Sequence, residues 1–232
     1  MITLENVNKK NNLYSACFLS DNDNIFILSS NNLQVIYGDK TKNDILDPIK
    51  VFDLKGNIVK EINNSREDTL FIDIYYDELI QNIYIITANM KFCKSYIYKK
   101  NEVYHKYYDN EFAEHRYIFI NKIKGIKQLI NCAYDKQIRI WNFHSGTIIK
   151  KININLINMR SLFLYKENYF LIKWGYNTIE VIDLEKEEII DSLRGHQREV
   201  ICIKRINHPL YGECLITQGY KEKIKLWIKD KN

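Results

Sequence analysis

The chain has 232 residues, 46% of them hydrophobic and 27% charged, with a formal net charge of +5. These values exclude a disordered or collagen-like chain, and the length suits one large domain or two small ones, all-β folds of this size often being single domains. The 34 basic and 29 acidic residues are scattered along the chain, which argues against nucleic acid as the partner, since its binders concentrate charge on one face or in runs.

Short apolar runs rich in Ile, Tyr and Phe succeed one another between polar turns, with no sustained helical period, so strands are expected throughout. The chain opens with "ITLENV" (Ile2–Val7), a strand-like run followed by a polar link. A first unit, residues 13–62, carries "LYSACFLS", "NIFILSS", "IKVFDL" and "NIVKEI", interrupted by an insertion at Asn31–Pro48. A second, residues 69–106, carries "TLFIDIYY", "NIYIITANM", "KSYIYKK" and "EVYHKYY". A third, residues 115–152, reads "HRYIFI", "KQLINCAYD", "QIRIWNF" and "GTIIKKI". A fourth, residues 159–193, reads "RSLFLY", "NYFLIKW", "NTIEVIDL" and "EEIIDSL". The last, residues 198–229, has "REVICIKRINHP", "ECLITQG" and "KIKLWIKD" and stops after its third strand.

Corresponding strands recur about every 40 residues over about five units, the period of four-stranded propeller blades. One such blade has two apolar faces and cannot bury them alone; stacking blades around an axis covers both. The expected fold is therefore all-β, a single β-propeller domain over residues 1–232 with about five blades: a small ring, an incomplete arc, or a fragment that needs a partner's blades.

Two stretches carry a family resemblance. "LRGH" (Leu193–His196) followed by "LITQGYKEKIKLW" (Leu215–Trp227), and "LINCAYDKQIRIWNFHSG" (Leu129–Gly146), are similar to WD40 repeats. Weaker copies place Ile182 and Phe52 where the repeat has Trp. The resemblance implies a hydrogen-bond network inside a blade, shared by a His, a Ser or Thr, a Trp and an Asp. His196, Thr217 and Trp227 match three of these in the last unit, where the acidic position holds Tyr220 or Lys221, so that network is expected to be incomplete. Asp135 and Trp141 match in the third unit, which lacks a Gly-His opening. In this family Ile2–Val7 would be a ring-closing strand that completes the last blade. WD40 rings usually have seven blades, and about five are visible here.

The five cysteines form no C-x-x-C pair and sit mostly inside apolar runs, so they read as free thiols of a reducing compartment, cytoplasm or nucleus. No apolar stretch is long enough to span a bilayer, and no membrane partner is expected. The cluster His105, Asp109, Glu111, Glu114 and His115 matches no metal-ligand spacing. No phosphate loop or catalytic signature is present, so neither a cofactor nor catalysis is expected. The resemblance implies a non-catalytic scaffold that binds other proteins or peptides. Its alternatives are a phosphoinositide- or nucleic-acid-binding propeller, or a substrate-receptor subunit of a larger complex. "LRGH" lacks the second Arg of the phosphoinositide-binding loops. The insertion Asn31–Pro48 is the leading candidate for a partner-binding loop.

Overall fold

A computed structural model describes residues 12–21, 24–32, 48–109, 115–123, 125–133, 135, 137–153, 161–166, 169–173 and 177–228. All regular structure among them is β. The first sheet comprises β1 (Asn12–Asp21), β2 (Asn24–Asn32), β3 (Lys50–Phe52) and β4 (Ile58–Glu61). The second comprises β5 (Thr69–Asp77), β6 (Asn82–Asn89), β7 (Cys93–Ile97) and β8 (Glu102–Tyr107). The third comprises β9 (His115–Ile123), β10 (Ile126–Ala133), β11 (Gln137–Asn142) and β12 (Ile148–Asn153). The fourth comprises β13 (Ser161–Lys166), β14 (Tyr169–Lys173), β15 (Thr178–Asp183) and β16 (Glu188–Arg194). The fifth comprises β17 (Val200–His208), β18 (Gly212–Gly219) and β19 (Ile224–Ile228).

Within every sheet hydrogen-bonded order follows chain order, and the pairing is antiparallel. The first strands β1, β5, β9 and β13 lie against one another in succession, so the sheets radiate from an inner strand as propeller blades do. The expectation of about five four-stranded blades is corrected: four blades are complete, and the fifth sheet has three strands among the described residues. Ile2–Val7, the expected closing strand, lies outside the described residues, as does the insertion beyond its ends at Asn31, Asn32 and Pro48.

The pleat explains the stacking. Alternate residues of one strand point to opposite faces, and each face meets a different neighbour. On β11, Ile138 and Ile140 pack forward with Ile182 and Leu184 of the fourth sheet, while Trp141 packs backward with Tyr84, Ile86 and Tyr107 of the second. Leu19, Leu28, Ile49 and Val51 of the first blade pack with Ile72, Ile83, Ile85 and Tyr96 of the second. Ile179 and Val181 pack with Val200, Ile203 and Leu215 of the fifth. Each fully buried aliphatic side chain contributes about 1.5–3 kcal/mol against exposure, so the core is a series of layers between successive sheets.

The turn after each third strand is closed by an Asx residue in three blades, because a short carboxylate or amide reaches main-chain N–H groups two to four residues on. Asp53 Oδ1 accepts from Lys55 N and Asn57 N at 2.9 and 2.8 Å. Asn142 Oδ1 accepts from His144 N and Ser145 N at 3.0 Å each, and Asp183 Oδ1 from Glu185 N and Lys186 N at 2.9 and 3.1 Å.

Candidate functional site

Thr217 faces Lys225 across the β18–β19 ladder, and Trp227 lies two residues further along β19. That offset puts the Thr hydroxyl and the indole on one face, where Trp227 Nε1 donates to Thr217 Oγ1 at 2.7 Å. His196, from the link before β17, places Nε2 2.7 Å from the same oxygen and Nδ1 2.6 Å from Glu222 Oε2. A carboxylate only accepts, so Nδ1 of His196 carries the proton. Nε2 then accepts from the Thr217 hydroxyl, whose oxygen accepts from Trp227. In this tautomer every donor of the network meets an acceptor. Glu222 also accepts from Gln197 N at 2.7 Å, and the His196 hydrogen bond holds its carboxyl below the usual range.

His196, Thr217 and Trp227 are thus brought together, and the expectation of an incomplete network is corrected. The acid is Glu222, one residue beyond Lys221, and its extra methylene spans the longer turn. Gly219 makes room: a Cβ there would collide with the Glu222 carboxylate and lie 2.8 Å from His196 Nδ1. Trp227 is half-buried at the edge of its apolar layer.

The third blade builds the same arrangement from different residues. Trp141 Nε1 donates to Asn131 Oδ1 at 3.1 Å, and Asn131 Nδ2 donates to Nδ1 of His115 at 2.6 Å. His115 does this without a Gly preceding it, and Asn131 replaces the hydroxyl residue. Burial first, and the nearby Arg139 charge second, push the His115 imidazole down to about 4, so it is neutral.

Asp135 was expected to join Trp141 in this network; it binds Arg139 instead. Arg139 Nη1 donates to Asp135 Oδ1 at 3.1 Å, Nη2 contacts Oδ2, and Nε bonds Asp109. Lys151 Nζ lies 3.1 Å from the same Asp109 oxygen. Arg139 is fully buried. Burial disfavours its charge, but the two carboxylates hold the guanidinium firmly protonated. Sequence reading missed this cluster, and a signal was present. The residue two before the aromatic position is basic in four units: Lys50, Lys94, Arg139 and Lys225 precede Phe52, Tyr96, Trp141 and Trp227. Lys94 pairs with Glu67, and Lys225 bonds the Gly195 carbonyl.

The residues weighed for a metal are separated by these contacts. Asp109 is held by Arg139 and Lys151, His115 by Asn131, and His105 Nε2 by the His144 carbonyl; Glu111 and Glu114 lie outside the described residues. Burial raises the thiols of Cys17 and Cys132 to about 12 and Cys93 further, which keeps them from acting as thiolate nucleophiles. A cleft of about 560 Å³ opens between the first two blades, where Asp21 and Asp73 alternate with Phe18 and Tyr76 near Lys99. Burial raises the Asp73 carboxyl.

No family model matches the chain, and no curated protein does. Among solved structures it is similar to the WD40 β-propeller domain of Doa1, with a TM-score of 0.64 and 16% sequence identity. The likeness covers 94% of this chain and 65% of that one, so this chain spans somewhat less than two thirds of the length of the domain it matches. At that identity the likeness shows the fold alone: an all-β propeller.

Proposed function

We propose that the chain is a single WD40-type propeller domain acting as a non-catalytic scaffold for other proteins or peptides, in cytoplasm or nucleus. One observation carries this reading. The His, Thr or Asn, Trp and Glu side chains of the third and fifth sheets are spent on one another inside blades, as rigid hydrogen-bond networks. Catalysis needs titratable groups that converge on an open site from several loops; here they converge on the protein's own indoles. Blade stacking consumes the apolar residues, which leaves turns and loops to differ between units and to bear binding groups. The cleft between the first two blades offers rings and carboxylates of the kind that receive a peptide side chain. WD40 propellers of known fold serve as binding platforms, and the likeness in fold supports that reading by analogy.

The test replaces Asn31–Pro48 with a short Gly-Ser link. The fold should survive, read as an unchanged β circular dichroism spectrum, while at least one protein co-purifying from the native cell is lost. Turnover of a small molecule by the purified chain, abolished by one loop substitution, would overturn the scaffold reading.

A further inference from the structure

The five repeats allow a like-for-like comparison of one pair of positions, three residues and one residue before the aromatic position, which face the following blade. They are Ile49 and Val51, Cys93 and Ser95, Ile138 and Ile140, and Ile179 and Val181, and none of these eight is more than 7% exposed. In the fifth sheet the pair is Ile224 and Leu226, at 65% and 40%. Ile228 continues the same face of β19 and is also exposed. Register places Cys202 and Gln218 beside Ile224, and Lys204 and Ile216 beside Leu226. On the first blade the backward-facing Phe52 and Lys50 are buried, whereas Ile224 stays open. Among the described residues β19 is also hydrogen-bonded on one side only.

We propose that this face and the β19 edge are a docking surface for a separate protein, which adds a β-strand with apolar residues on one side and carboxylates beside them. The proposal rests on the scaffold reading and names one of its surfaces. An exposed strand edge offers a ladder of unpaired N–H and C=O groups, and alternate side chains of an added strand fill the pleat. Charge selects the occupant. Lys204 is on the face, and Lys221 and Lys223 are exposed where β19 begins. Glu222, between Lys221 and Lys223 in the chain, is held by His196. A second copy of this chain would bring lysine to lysine, whereas an acidic strand meets complementary charge.

The probe is a peptide of about ten residues alternating valine with glutamate, and the control has lysine for glutamate. Cys202, exposed on the face, reports coverage through its rate of maleimide labelling in the full chain, and amide exchange of Ile224–Ile228 reports strand addition. The glutamate peptide should slow both by about tenfold and the lysine peptide should not. I224D should abolish the effect, and K204E should reverse the preference, each with melting unchanged. Slow labelling and slow exchange in the free monomer, where the chain covers its own edge, would overturn the proposal. So would protection that grows with chain concentration, or equal action of the two peptides. Such a failure would leave the loss of co-purifying protein on replacing Asn31–Pro48 untouched, so the two readings fail separately.

Discussion

Glu222 Oε2 lies 2.6 Å from His196 Nδ1, and this contact fixes the tautomer on which Thr217 and Trp227 depend. T217V keeps the shape but leaves Trp227 Nε1 without its acceptor and His196 Nε2 without its donor. The expected cost is about 1–3 kcal/mol, the penalty of stranded buried polar groups, read as a lower urea midpoint. H196A should fall in the same range. G219A should lower stability too, although position 219 makes none of these hydrogen bonds, because its methyl displaces the carboxylate. A wild-type midpoint for G219A would mean that the carboxylate does not sit where it limits the turn.

The two tryptophans should differ. Trp141 is buried in the layer between second and third blades, and W141A should cost about 3–5 kcal/mol. Trp227 is half-buried, so W227A should cost less. Equal losses would place Trp227 in a closed layer.

Arg139 sits between Asp109 and Asp135, and Asp109 is itself buried. R139M fills the space but takes the guanidinium away from a buried carboxylate. Removing one partner of a buried pair costs about 3–5 kcal/mol. Adding D109N should recover part of that loss in a double-mutant cycle; strict additivity would show that the two residues do not share a charge balance.

Acid should weaken the fold in a defined window. His115 has a native value near 4 against about 6.5 in an unfolded chain. Between those values the unfolded state binds the additional proton, so stability is fully present above about pH 6.5 and is lost as pH falls toward 4. H115N retains an acceptor for Asn131 and cannot titrate. Its stability between pH 6.5 and 4 should be flatter than that of the wild type, measured by urea unfolding at each pH.

The repeat was legible because strand period and turn residues are local properties, and they mark each unit with or without its signature residues. Thr217, Trp227 and His196 were legible because hydroxyl, indole and imidazole stand at family spacing. Glu222 was not, since the reading fixed the acid by position and a longer side chain met the same imidazole from one residue on. Asn131 and His115 escaped for a related reason: an amide supplies both the acceptor that the indole needs and the donor that the imidazole needs, so no hydroxyl is required. The basic residue two before each aromatic looked like scattered surface charge. Its partners Asp109 and Glu67 lie 30 and 27 residues away in sequence, beyond the reach of a local pattern. The open face of the fifth sheet was visible only once burial at equivalent positions could be compared.

Among the described residues every hydrogen-bonded strand pair joins neighbours in the chain, and each apolar layer joins consecutive sheets. No early strand among these residues needs to wait for a distant one. The first two blades hold their shared layer complete once Tyr107 has been made, and each later blade has a finished surface on which to form. Such local closure favours fast folding and assembly in step with synthesis. It also makes the last sheet, anchored through the small Ile179–Val200 layer, the segment whose amides should exchange at the lowest opening energy.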